Sequence, residues 1–174
     1  GSGGEGLTFA WVKEKSFLGE GGSSLGVGGL DGYALRFDTG TNQEGQPENY
    51  VAFSRITPEG IQDLIVNTSV PQMEDVLNSG GNPAPFHVEL WLQGDRLNVS
   101  LSNPTAATPI PQRTILDFEI PDYDAADSYF GFTAATSETN NVHAVDNVVI
   151  HEVKMVPTYR FFSGELVTLS AAAG

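Results

Sequence analysis

The segment Phe86-His87-Val88-Glu89-Leu90-Trp91-Leu92 places an apolar residue at every second position. It stops at Gln93-Gly94-Asp95-Arg96 and resumes the same spacing through Leu97-Asn98-Val99-Ser100-Leu101. Two such runs about a Gly-Asp tip make an antiparallel hairpin with one buried face per strand. A lone sheet has nowhere to put that face, so it must stack on a second sheet. The hairpin therefore predicts an all-β chain folded as an antiparallel β-sandwich.

The rest of the chain repeats this pattern. Strands are expected at Leu7–Val12, Tyr33–Asp38, Tyr50–Arg55, Gln62–Asn67, Phe86–Leu92, Leu97–Ser102, Arg113–Glu119, Tyr129–Ala134, Ala144–Val153 and Thr158–Leu169, with turn-forming clusters between them. Among 174 residues, 20 glycines and 10 prolines supply those turns. A helical turn is expected only near Thr57-Pro58, where Pro follows a Thr cap. The long loops are Ser69–Pro85 and Asn103–Gln112. The hydrophobic fraction of 40% is enough for one folded domain.

The formal net charge of −14 argues against nucleic acid, whose phosphates need Lys and Arg. It equally disfavours anionic membrane surfaces, and no apolar run is long enough to span a bilayer. Its plain consequence is solubility through self-repulsion. With no cysteine, neither disulfides nor Cys-ligated zinc can form.

Where Tyr33–Asp38 runs out at Thr39-Gly40, Asp38, the Gly40 carbonyl and Asn42 can turn onto one small sphere. A carboxylate, a carbonyl and an amide are the oxygen set that Ca²⁺ takes. The same two side chains can instead build an Asx turn after a strand.

This stretch, Arg36-Phe37-Asp38-Thr39-Gly40-Thr41-Asn42, resembles the metal-binding strand and loop of the L-type, legume-like lectins. Three further segments are similar to that family in order and spacing. They are Gly4-Glu5-Gly6-Leu7-Thr8-Phe9, Gly19-Glu20-Gly21-Gly22-Ser23-Ser24-Leu25-Gly26, and Tyr129-Phe130-Gly131-Phe132-Thr133-Ala134-Ala135-Thr136 followed by His143. The resemblance implies a concanavalin-like jelly roll over residues 4–156, with 157–174 as a C-terminal strand or linker. It implies a calcium site of Asp38, Gly40, Asn42 and Gln46, where Gln46 replaces a family aspartate at the loss of one charge. It implies a sugar site of Glu5, Gly21, Gly22, Asn42, Glu138, Thr139 and Asn140. Glu5 stands for a shorter aspartate, and Gly21-Gly22 lets backbone N–H groups approach the ligand. The family's second, transition-metal site would fall on Arg36 and Tyr50. A cation at Arg36 repels a divalent ion, so none is expected there, and an internal Arg36–Asp38 salt bridge is expected in its place.

The family's first strands, which would precede Gly4, are not seen. Thr158–Leu169 is expected to fill that edge, or to pair with a neighbouring molecule. Phe9, Trp11, Trp91, Phe118, Phe130 and Phe132 are expected in the core, with Tyr50 and Tyr123 as candidate exposed stacking rings. Asp117 and Glu119 form the only close carboxylate pair on a strand, and they read as the exposed face of an edge strand, not as a hydrolase dyad. The expected function is non-catalytic binding of a glycan or glycoprotein by an extracellular or surface domain. The alternative is a structural or adhesive sandwich that has lost sugar binding and assembles through its edge strands.

Overall fold

A computed structural model of the chain describes residues 6–15, 19–39, 49–73, 76–124, 128–136 and 142–151. Its strands are β1 (Gly6–Val12), β2 (Gly32–Asp38), β3 (Tyr50–Thr57), β4 (Gly60–Asn67), β5 (His87–Gln93), β6 (Arg96–Asn103), β7 (Ile110–Glu119) and β8 (Tyr129–Ala135). They form a five-stranded sheet in the order β4-β3-β2-β1-β8 and a three-stranded sheet in the order β5-β6-β7. Every pairing is antiparallel. The chain divides into two units, Gly1–His143 and Ala144–Gly174, and all these strands lie in the first.

The strands expected from Leu7 to Ala134 are all present and differ only at their ends. The longest difference is β7, which begins at Ile110 and takes residues assigned to a loop. The hairpin about Gly94-Asp95 pairs Gln93 with Arg96, and Gly94 at its tip has φ +62°, a conformation that favours glycine. Two expectations fail. Thr57-Pro58 begins no helix: Thr57 pairs with Gly60 across a two-residue turn that joins β3 to β4, and the fixed φ of Pro58 suits that turn equally well. Ala144–His151 forms no strand, because Asn147 takes φ +50° and breaks the extended backbone. The segment Thr158–Leu169 lies outside the described residues.

The inner faces of the two sheets make the main core. Trp11, Tyr33, Leu35, Val51 and Phe53 from β1, β2 and β3 meet Leu97, Val99, Leu101, Ile115 and Leu116 from β6 and β7. Phe53 is 0% exposed and sits at the centre. Its ring stacks 5.8 Å from Tyr33, lies 5.4 Å from Trp11, and meets Phe118 edge-on at 5.5 Å.

The outer face of the five-stranded sheet is also covered. Ala10, Val12, Ala34 and Ile56 pack under Val27 and Leu30 of the β1–β2 connection. The small side chains at Ala10 and Ala34 let that connection approach. Gly26 presses so close to β8 that a Cβ there would lie 2.9 Å from the Thr133 Cβ.

The sandwich is closed along one side. The Asn67 amide of β4 donates to the Ile115 carbonyl of β7 at 2.7 Å, and Arg113 of β7 donates to the Ser69 carbonyl at 3.0 Å. The other side, where β8 and β5 are the outermost of the described strands, leaves aromatic surface exposed. Phe130 and Phe132 are 53% and 40% exposed, and Trp91 is 60% exposed. These three are not core residues as expected. Trp91 faces away from the second sheet, and β8 lies at the rim of the interface, beyond the cover of the smaller sheet.

Phe53→Ala removes the ring on which Trp11, Tyr33 and Phe118 converge. It should lower unfolding free energy by about 3–5 kcal/mol. The check is the midpoint of urea unfolding, with Val66→Ala on the exposed face of β4 as the neutral comparison.

Candidate functional site

Strand register brings four chain segments to one end of the large sheet. Gly6 of β1 lies opposite both Asp38 of β2 and Ala135 of β8, and Asp38 lies opposite Tyr50 of β3. From this row the chain leads directly to most of the residues singled out in the sequence. Glu5 precedes Gly6; Gly40, Asn42 and Gln46 follow Asp38; Glu138, Thr139 and Asn140 follow Ala135. Those seven residues lie outside the described residues. Asp38, Gly21 and Gly22 lie within them.

The next row along the outer face is Thr133, Thr8, Arg36 and Ala52. The glycine loop rests on this row. The Thr133 hydroxyl donates to the Leu25 carbonyl at 2.6 Å, and the Arg36 guanidinium donates to the Ser23 carbonyl at 3.0 Å. Gly21 and Gly22 stand at the loop's rim, where an added Cβ would meet nothing within 4 Å. Their backbone is therefore open to an approaching molecule.

Arg36 is 6% exposed, and a buried guanidinium is costly without an anion. Its ion pair is with Asp63 of β4, at 2.8 Å. The Ser54 hydroxyl donates to the same carboxylate oxygen at 2.6 Å. Arg36 also reaches the Tyr50 hydroxyl at 3.5 Å, and Tyr50 is hydrogen-bonded to Asp38. The expected internal salt bridge at Arg36 thus exists with Asp63 as its anion, while Asp38 is tied to the network through Tyr50. Tyr50 is 8% exposed and is not a stacking ring as expected. Burial, with the Asp38 and Asp63 charges adding to it and Arg36 opposing it, pushes its phenol from 10.0 up to about 12.

A cleft of about 460 Å³ opens above this network. Glu20, Ser23, Ser24, Gly28 and Gly29 of the loop form one wall. Pro58, Glu59, Gly60 and Ile61 of the β3–β4 turn form the other, over Arg36, Tyr50 and Asp63. The volume lies within the range of about 300–1,000 Å³ common for small-ligand pockets. Three carboxylates against one guanidinium make it acidic, rich in hydrogen-bond acceptors and unfavourable to anions. Asp63, Ser54 and Glu59 were not anticipated from the sequence. The available signal was Arg36 itself, a cation inside an otherwise apolar strand that had to find an anion.

Calcium can be weighed at Asp38, the one described residue of its expected set. Asp38 is 1% exposed and offers a hard carboxylate at the strand end from which 40–46 depart, which fits an oxygen-ligated ion. Among the described residues, no group of three or more His, Cys, Asp or Glu gathers about one point. His143 is partly buried, and burial lowers its pKa below 6.5, so it is neutral at pH 7. Asp117 and Glu119 are exposed on the edge strand β7 as expected, and Asp117 is held by Arg96 at 2.9 Å.

At the far end of the sheet, Lys13 at 3.1 Å and Arg55 at 2.8 Å bracket Asp31. Burial pushes the Asp31 carboxyl up, but these two cations outweigh it and hold it below its ordinary 3.8. Arg55 also lies over the Tyr33 ring. Tyr123 is partly buried against that same ring, 5.2 Å away, and is not a free stacking surface. This end is a structural clasp joining β1, β2 and β3.

Two outcomes follow from the Arg36 network. Asp63→Ala leaves the guanidinium without its anion and should cost about 1–3 kcal/mol, since Asp63 is itself part-exposed. Adding Arg36→Met should recover part of that loss in a double-mutant cycle. The Tyr50 phenol is raised in the folded state, so the folded chain keeps a proton that the unfolded chain releases first. Its contribution to stability is complete below pH 10 and is lost as pH climbs toward about 12. Tyr50→Phe should flatten that alkaline limb of the unfolding free energy.

Among the described residues no helix is long and apolar enough to cross a membrane. Comparison of the chain with protein-family models, curated proteins and solved structures finds no match to any of them.

Proposed function

We propose that this chain is a non-catalytic carbohydrate-binding domain of an extracellular or cell-surface protein, built on a concanavalin-like jelly roll. The observation that carries this reading is the row Gly6, Asp38, Tyr50 and Ala135. Antiparallel register gathers there the starting points of the segments that bear Glu5, Asn42 and Glu138-Thr139-Asn140. The glycine loop rests on the adjacent row with Gly21 and Gly22 open. Segments far apart in sequence thus start from one end of one sheet, as a shallow sugar site requires.

The chemistry of the neighbouring cleft supports the same reading. Carboxylates and hydroxyls accept and donate to the paired hydroxyls of a sugar. The excess of Glu20, Glu59 and Asp63 over Arg36 selects neutral sugars over uronic or sialic acids. Asp38, the Gly40 carbonyl, Asn42 and Gln46 would hold calcium, which when bound fixes the Asn42 amide before the sugar arrives. Ordering the loop beforehand reduces the entropy lost on binding. Arg36 brings its own positive charge to the place of a second ion, and no transition metal is needed.

A glycan array probed in calcium and again in chelator tests the reading. Neutral glycans should be retained in calcium, and acidic ones should not. If no glycan is retained in either condition, sugar binding is wrong and the structural or adhesive reading replaces it. Calcium should also raise the melting temperature, since an ion that binds only the folded chain stabilises it by mass action. Asp38→Ala should abolish that rise. A melting curve indifferent to chelator in the parent protein would reduce Asp38 to a partner of Tyr50.

A further inference from the structure

We propose that β8 is a self-association edge, through which two copies of this chain join their five-stranded sheets by antiparallel β8–β8 pairing. The first ground is charge. Among the described strands, four lie at sheet edges: β4, β5, β7 and β8. β4 carries Asp63, β5 carries Glu89, and β7 carries Pro111, Arg113, Asp117 and Glu119. Charges and prolines are the usual means of keeping an edge from pairing. β8, Tyr129-Phe130-Gly131-Phe132-Thr133-Ala134-Ala135, carries neither. In a chain of net charge −14, two copies repel least where acidic groups are absent, and the charge beside β8 is a cation, Lys15, 5.8 Å over the Tyr129 ring.

The second ground is exposure on the face that ought to be buried. Register sets Phe130 opposite Trp11 and Phe132 opposite Phe9, so both rings point to the core side of the sheet. They remain 53% and 40% exposed. Phe9 stacks with Phe130 at 6.0 Å and tilts against Phe132 at 5.2 Å. The rings are thus ordered by β1 yet uncovered on their outer side.

The third ground is that β8 is complementary to itself. A two-fold axis through Gly131 pairs Gly131 with Gly131 of the second copy, and Phe130 with Phe132 in both directions. Four phenylalanines then meet on the core side and extend the Phe9 stack across the contact. On the other face, Tyr129 meets Thr133. A contact of this kind is isologous and closes at two copies, so it gives a dimer and not a fibre. Glycan binding plays no part in it.

Sedimentation equilibrium across a concentration series tests the proposal. The average mass should rise toward twice that of the monomer, and added salt should favour the dimer by screening repulsion. Phe130→Lys and Phe132→Lys should each return the mass to that of one chain. An independent readout uses the parent's lack of cysteine. Opposed residues in an antiparallel pair have Cα atoms about 4.5–5.5 Å apart, within the span of about 4.4–6.8 Å that a disulfide bridges. Gly131→Cys should therefore close to a covalent dimer on mild oxidation, whereas Trp91→Cys, on the exposed face of β5, should not. A monomer at every concentration with no cross-link at residue 131 would overturn the proposal. So would a monomer whose β8 amides resist hydrogen exchange, since the chain's own later residues would then occupy the edge. A dimer that survives both lysine substitutions places the contact elsewhere and overturns it as well.

Discussion

Strands β2 and β3 are buried on both faces, and that constraint governs what the outer face can contain. The inner face is covered by the three-stranded sheet and the outer face by the chain's own β1–β2 connection. A polar group beneath that cover has little water to fall back on, and those of the Arg36 network are answered by other parts of the protein. Arg36 is answered by Asp63 and the Ser23 carbonyl, Asp63 by Ser54, and Tyr50 by Asp38. The network ties β2, β3, β4 and the glycine loop together. It also fixes the height of the loop above the sheet, and with it the depth of the cleft.

Most of the strand plan was legible because period-two spacing survives wherever one face is buried. The β5–β6 hairpin is the clearest instance, since its apolar set and its Gly-Asp turn agree. Legibility fails where the local signal permits two answers. Thr57-Pro58 suits a helix start and a β-turn alike, and only the pairing of β3 with β4 decides between them. Val148-Val149-Ile150 looks like a strand, but Asp146-Asn147 beside it turns the backbone. Hydrophobicity alone also misplaced Trp91, Phe130 and Phe132. For Trp91 the period-two spacing of β5 already carried the answer; for Phe130 and Phe132, how far the smaller sheet reaches across the larger is a tertiary fact with no local trace.

The candidate site was legible in a different way. Its residues come from segments that resemble a family, and what the fold adds is the register that sets the segments' starting points in one row. Asp63 and Glu59 had no such trace. Their part follows from Arg36, whose charge required a partner that could have come from any neighbouring strand. The register of β3 against β4 made that partner Asp63.

The pairing of β1 with β8 has a consequence for how the chain is made. These are the first and last of the described strands, and closing the loop between them requires nearly all of the intervening chain. The β5–β6 and β3–β4 hairpins are local and can form early. The large sheet gains β8 only after a long-range closure whose entropy must be met before its contacts stabilise it. On the ribosome, Phe9 and Trp11 would wait beside an open edge until β8 emerges. The rate of refolding should therefore be governed by β8, the last of the described strands, and not by the aromatic core.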